Sequence, residues 1–162
     1  MRYGLEAAGV IILALLVATS LYWSYQSYLS YRFSVVEFEK TYFEGEMYSG
    51  PNGGGRWSVH FPAKSINWTI EIDIMSLDNS FDLVVVCGFL SWDEYQSRRE
   101  DDPSVIYLER INVSEITETT TMDLQAHQST IRILLRHESG LTLTGHIVAR
   151  CLAPRWARWD PQ

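Results

Sequence analysis

The residues with chemistry to offer in this chain are few. They are two cysteines, four histidines, two Asn-X-Ser/Thr sequons and a doubled Arg-Trp pair near the C-terminus. Cys87 falls in phase with Leu83, Val85 and Phe89, and Cys151 with Ile147 and Ala149. Parity lets the two thiols meet in one interior, and an exported domain is expected to join them as a disulfide. Such a bridge, closing the long loop between them, adds about 4 kcal/mol in the chain-entropy treatment, less any strain. The alternative is two buried thiols behaving as small hydrophobes. Their separation excludes CxxC redox and zinc-ribbon sites.

Asn67-Trp68-Thr69 and Asn112-Val113-Ser114 are N-glycosylation sequons. Strand alternation turns Asn67 outward beside Thr69, so it is the better placed of the two. His60, His127, His137 and His146 form no HExxH-type spacing, and no Asp or Glu pair stands in register with them. His60 and His146 lie on polar faces and read as solvated imidazoles. Asp78, Asn79 and Asp82 carry oxygens that suit calcium, but the EF-hand pattern is absent and turn formation explains them. Ser49 to Gly55 (SGPNGGG) is Gly-rich but lacks the Lys-Ser/Thr of a phosphate loop, and reads as a turn or linker tip. With no nucleophile elbow and no paired carboxylates sharing a pocket, the chain is expected to be no enzyme and to hold no cofactor or metal.

The tail, Ala153-Pro154-Arg155-Trp156-Ala157-Arg158-Trp159-Asp160-Pro161-Gln162, repeats Arg-Trp three residues apart. Exposed tryptophans are costly unless they cover something. Three roles suit Arg155, Trp156, Arg158 and Trp159. They close the sandwich end with each Arg stacked on a ring, or dock a partner subunit, or insert at a membrane interface.

These residues need elements to position them, and one stretch organises the rest. Gly4 to Leu21 reads GLEAAGVIILALLVATSL, uncharged from Ala7 on. A hydrocarbon core of about 30 Å needs about 20 helical residues, and Gly4 to Trp23 supplies them if Glu6 lies near one interface. Tyr22, Trp23, Tyr25 and Tyr28 follow, with Tyr3 at the opposite end, the aromatic pattern of a membrane-water boundary. Tyr22, Tyr25, Tyr28 and Tyr31 recur every three residues along one helical face. Membrane lipid is thus one expected partner. Two rival readings share the segment: a signal peptide cleaved near Ser20, releasing a secreted ligand-binding domain, and a pilin-like helix packed in a filament core.

Past Phe33 the apolar pattern alternates, which is the strand signature. Val36 and Phe38, then Trp57, Val59 and Phe61, then Trp68, Ile70, Ile72 and Ile74 alternate with polar residues. Phe81 to Leu90 is apolar on both faces, which predicts a central, covered strand. Val105–Val113, Thr119–Leu124, Ile131–Arg136 and Leu141–Leu152 complete the set, with Ser91 to Ser104 as a long charged loop and no amphipathic helix between strands. The fold predicted is mainly β: one N-terminal transmembrane helix, then an antiparallel β-sandwich or jelly roll of seven or eight strands. Residues 1–32 form the anchor with its aromatic collar, 33–152 the sandwich and 153–162 the tail.

A Trp-containing strand, an Asp-containing turn, the run FDLVVVCG, a loop with Asp93-Glu94-Tyr95 and paired C-terminal strands resemble the GOLD/emp24-like jelly rolls, from about Asn67 to Cys151. Members with the usual arrangement place the membrane helix after the domain, whereas this chain places it before. The resemblance implies a non-catalytic β-sandwich used for recognition or assembly.

The formal charge is −7. Only Arg2 and Glu6 precede Arg32, so the acidity belongs to the domain, which argues against nucleic acid and against broad adhesion to anionic lipid. Lys and Arg are nearly even across the helix, while the cysteines and sequons favour an N-terminus inside and an extracytoplasmic, cell-surface glycoprotein domain. The function expected is an accessory subunit or binding module that meets other protein subunits.

Overall fold

The structure is a computed structural model and describes residues 2–88, 91–98, 106–122 and 130–159. It divides into two compact units. One holds the residues up to Val35 with Pro154–Trp156, and the other runs from Val36 to Ala153 with the residues from Ala157 on.

The first unit is built on α1 (Arg2–Phe33), 32 residues with no internal proline and mostly straight-chain, small or aromatic side chains. The hydroxyls in its apolar run are satisfied within the helix: Thr19 Oγ1 donates to Leu15 O at 2.7 Å and Ser20 Oγ to Val17 O at 2.9 Å. That is how hydroxyls are tolerated where no water is available. The helix ends at Ser34, whose backbone N–H and hydroxyl both turn back onto Tyr31 O. Val10, Leu16 and Trp23 are 68, 62 and 68 % exposed, so the described residues leave this helix uncovered. Ala8–Phe33 is long and apolar enough to cross a membrane.

Among the described residues there are eight strands, in the second unit but for the end residues Val35 and Pro154: β1 (Val35–Ser49), β2 (Gly54–His60), β3 (Ile66–Ser76), β4 (Phe81–Cys87), β5 (Ile106–Val113), β6 (Glu115–Met122), β7 (Thr130–Arg136) and β8 (Leu141–Pro154). They form two four-stranded sheets, β1-β8-β3-β6 and β2-β7-β4-β5. The pairs 1·8, 2·7, 3·6 and 4·5 are the rungs of one long ribbon rolled into two sheets, which is the jelly-roll order. The expected sandwich is therefore present with eight strands.

Period-2 patterning fills the space between the sheets. Ile70, Ile72 and Ile74 of β3, Leu83 and Val85 of β4, Ile131 and Ile133 of β7, and Leu141, Leu143, Ile147 and Ala149 of β8 are wholly buried. The other apolar face of β4 is also covered, by a helix that stands where the charge pattern predicts a loop. Helix α2 (Trp92–Arg98) lays Tyr95 over Val84, Val86 and Leu134, with Trp92 beside them. Its first turn is a capping box: Glu94 N–H donates to Ser91 Oγ at 3.3 Å and Ser91 N–H to Glu94 Oε2 at 2.8 Å. Those bonds from Ser91 hold the Glu94 carboxyl below its ordinary range.

One glycine is required by sterics. Gly145 of β8, opposite Ile74, has φ 135°, and a Cβ there would stand 2.0 Å from the Asp73 carbonyl oxygen. Gly145→Ala is expected to destabilise the domain by at least about 1–3 kcal/mol, the cost of a side chain in that conformation. The loss is read as a lower urea midpoint with unchanged slope.

Candidate functional site

The C-terminal tail leaves β8 at Pro154, which cannot donate to a ladder, and its parts then separate. Arg155 belongs with the helical unit. Its backbone N–H donates to Ser34 O at 2.9 Å, its Nε to Ser34 Oγ at 3.3 Å and its Nη1 to Tyr31 Oη at 3.0 Å. The guanidinium carbon also stands 4.3 Å from the Tyr31 ring centroid. Trp156 is half-buried and Arg158 is exposed. Trp159 belongs with the sandwich, where its Nε1 donates to Tyr42 Oη at 2.7 Å and its ring lies 5.7 Å from that of Phe61. Residues 160–162 of the tail lie outside the described residues.

Trp159 completes an aromatic nest at one end of the sandwich. Phe61 stacks on Trp68 with centroids 4.6 Å apart and planes 2° apart, and Trp68 Nε1 donates to Ser65 Oγ at 2.8 Å. Tyr42 Oη also accepts from His60 N–H at 3.2 Å. Burial raises the Tyr42 phenol above its ordinary value, against the opposing pull of these two donors.

Cys151 faces this nest. The expected disulfide is not formed, and both Cys87 and Cys151 are free thiols. The parity argument holds for Cys151, which is buried on the inner face of β8, but its sulfur is hydrogen-bonded with the Ser65 side chain instead of a second sulfur. Cys87 ends β4 opposite Ile131, half-buried. Burial pushes both thiols up, Cys151 from 9.0 to about 11.

Both sequon asparagines sit where a strand carries one extra residue. Between Ile66 and Thr69, β3 has one more residue than β8, and between Arg110 and Val113, β5 has one more than β4. Asn67 and Asn112 have φ 54° and 59°, the left-handed region where Asn is the best tolerated side chain after Gly. Asn112 N–H donates to Asp82 Oδ1 at 2.9 Å. Both residues are exposed, and each asparagine has a conformational reason to be there apart from any glycan.

The histidines differ from expectation at two places, His60, which is half-buried and bonded to Thr130 and not solvated, and His146. His146 is directly opposite Asp73 and lies 3.3 Å from Glu71 Oε1 and 3.9 Å from Asp73 Oδ2, so two carboxylates are in register with it after all. Spacing within one strand does not reveal a cross-strand pair. Arg150 on the same face bonds Glu39 at 2.6 Å and Glu71 at 2.5 Å. Arg150 first, then His146, holds the Glu71 carboxyl below its usual range. Such exposed pairs contribute about 0–1 kcal/mol each. His60 Nδ1 meets Thr130 Oγ1 at 3.0 Å. His137, buried, is held by Ser139 O at 2.7 Å and Ser49 Oγ at 2.8 Å. His127 lies outside the described residues.

Asp78 and Asn79 are used by the turn: Asp78 Oδ2 accepts from Thr142 N–H and Asn79 Nδ2 donates to Gly140 O. Beside them a polar cleft of about 400 Å³ is lined by Asp82, Gln96, Asn112, Arg136 and Glu138 among others. Among the described residues no group of three or more His, Cys, Asp or Glu is placed to hold a metal ion.

Of the residues expected to form the aromatic collar, Tyr22, Trp23, Tyr25 and Tyr28 are all exposed on α1. Tyr22 and Trp23 meet edge to face with centroids 6.2 Å apart. Tyr3 lies in the same helix, and its side chain is not among those described.

Two measurements test these assignments. Without reductant, the unfolded protein should titrate two thiols, and in the folded protein Cys151 alkylation should be slow at neutral pH and accelerate towards pH about 11. The unfolded thiol ionises first, so its contribution to folding stability is full below about pH 9 and falls as pH rises towards about 11. Separately, Asn67→Gly should keep the stability while removing the sequon. Asn67→Val should cost about 1–2 kcal/mol for a β-branched residue in the left-handed region, measured by urea unfolding of unglycosylated protein.

No protein-family model matches the chain, and no curated protein matches its sequence. Among solved structures it is similar to a chain of infectious bursal disease virus, Gx strain, at 9 % identity and TM-score 0.41, covering 75 % of this chain and 32 % of that one. The Gt strain gives 6 % identity and TM-score 0.39 over 74 and 32 %. Wild-type BuGH86 in complex with neoagarooctaose gives 7 % identity and TM-score 0.35 over 74 and 19 %. The chain thus spans about a third or less of these proteins, and the jelly-roll assignment rests on its own strand order.

Proposed function

We propose that this protein is a membrane-anchored, non-catalytic jelly-roll module that serves as accessory subunit or binding module of a membrane or cell-surface complex. The observation that carries the reading is the apolar, exposed segment Ala8–Phe33 joined to an eight-stranded domain with its own core. An uncovered surface of that size is stable only against lipid or another apolar helix. The aromatic collar supports lipid, since rings with one polar edge are favoured at the headgroup level. The GOLD/emp24-like order of residues supports recognition or assembly as the role of the domain. The orientation belonging to this reading places the N-terminus inside and the jelly roll outside the cytoplasm, supported by the exposed Asn67 sequon.

The alternatives differ in where the helix goes. A pilin-like subunit buries it among other helices, and a secreted domain loses it near Ser20. Alkaline carbonate extraction of native membranes, followed by intact mass, separates the three. The anchored reading expects full-length protein in the membrane pellet, with the jelly roll digested by protease added from the non-cytoplasmic side. A soluble species beginning near Leu21 favours secretion, and a mass loss of a few N-terminal residues in a sedimenting filament favours the pilin-like form. A purely monomeric particle in mild detergent counts against the accessory-subunit role.

A further inference from the structure

We infer that the end of α1 carries a headgroup site for an anionic phospholipid, built from Arg32 and Arg155 on Tyr28 and Tyr31; this rests on the membrane-anchored reading. All four residues belong to the helical unit. Arg32 reaches back one turn, its Nη1 donating to Tyr28 Oη at 3.2 Å. Side chains on an α-helix lean towards its N-terminus, and here that direction is towards the apolar segment. The Arg32 guanidinium therefore stands level with Tyr28.

That level coincides with the headgroup layer. If the spanning segment starts at Gly4, about 20 residues end it near Trp23, and Tyr28 stands about 7–8 Å further out at 1.5 Å per residue. If it starts at Ala8, Tyr28 is at the hydrocarbon edge. The polar layer is about 5–8 Å deep on each side, so both placements put the Arg32 guanidinium among phosphates.

Arg155 brings the second cation. Its Nε and Nη1 are fixed by Ser34 Oγ and Tyr31 Oη, and its guanidinium lies over the Tyr31 ring. Among the described residues the remaining N–H groups of both arginines meet no acceptor, so they suit an external one. Among the described residues neither guanidinium has a carboxylate partner, whereas Arg110 and Arg150 of the sandwich do. A planar guanidinium fork matches phosphate oxygens bidentately, and ordering by Tyr31 and Ser34 lowers the entropy lost on binding. The domain's acidity disfavours broad adhesion to such lipids, so recognition is local to this pair.

The test uses the full chain in vesicles of phosphatidylcholine and phosphatidylglycerol in equal amounts. Electron spin resonance then gives the association of spin-labelled phosphatidylglycerol relative to spin-labelled phosphatidylcholine. A preference of several-fold for phosphatidylglycerol is expected. Arg32→Gln and Arg155→Gln should each lower it by part of that preference, at most the about five-fold that ~1 kcal/mol per arginine at a membrane surface corresponds to. Arg32→Lys and Arg155→Lys keep the charge but lose the fork, so they should fall between wild type and the Gln variants, a graded order that a loss of folding would not reproduce. A ratio near one, or a preference unmoved by both Gln variants, overturns the site. So does loss of the preference to inorganic phosphate at fixed ionic strength, which would identify a free-phosphate site. If no lipid of either kind is restricted because the protein stays out of the vesicles, the anchored reading itself falls and the site with it.

Discussion

The second unit depends on one insertion. Strand β8, the last in the chain, lies between β1 and β3, so the first sheet has no continuous hydrogen-bonded ladder without it. Its inner side chains, Leu141, Leu143, Ile147 and Ala149, also supply much of the core that meets the second sheet. The same strand needs Gly145 at its closest approach to Asp73 and ends in the proline that releases the tail. Core, register and tail placement thus follow from where this one strand sits. Pairing the first strand with the last also makes the topology strongly non-local, and such folds lose loop-closure entropy before contacts compensate it.

Much of this is legible in the sequence because period-2 alternation is a local signal. The isoleucine row Ile70, Ile72 and Ile74 marks β3, and the doubly apolar run from Leu83 to Val86 marks a strand covered on both sides. What covers it is harder to read, for an instructive reason. Ser91 to Glu94 is a capping box written out in sequence, but the flanking charges give the segment the look of a solvated loop. Tyr95, a single large ring inside a charged stretch, is the second available signal, since such a residue needs an apolar surface to meet.

Features that depend on pairing between strands are not legible. His146 meets Asp73 only because β3 and β8 align in one register, and no spacing within either strand encodes that alignment. The two sequons show the same limit. From the sequence an exposed asparagine before X-Ser or X-Thr suggests a glycan acceptor, whereas the chain geometry gives Asn67 and Asn112 a role in bulges that one extra residue forces into a strand. Cys87 and Cys151 have the parity for a bridge, but parity fixes only the face and not the distance. The sulfur of Cys151 is turned to Ser65 instead.

The rolled ribbon imposes an order of events during synthesis. The apolar helix leaves the ribosome before the strands of the jelly roll, whereas the first sheet waits for Leu141–Pro154 to arrive between β1 and β3. Strands β1 to β7 must therefore persist for a time with the central slot of that sheet open and its neighbours' backbone groups unpaired. On the membrane-anchored reading proposed above, the helix meets lipid first and the chain spends that interval tethered, at low mobility and away from other copies. Early capture of the helix would then act as protection against strand exchange between nascent chains, a hazard that unpaired sheet edges create in solution.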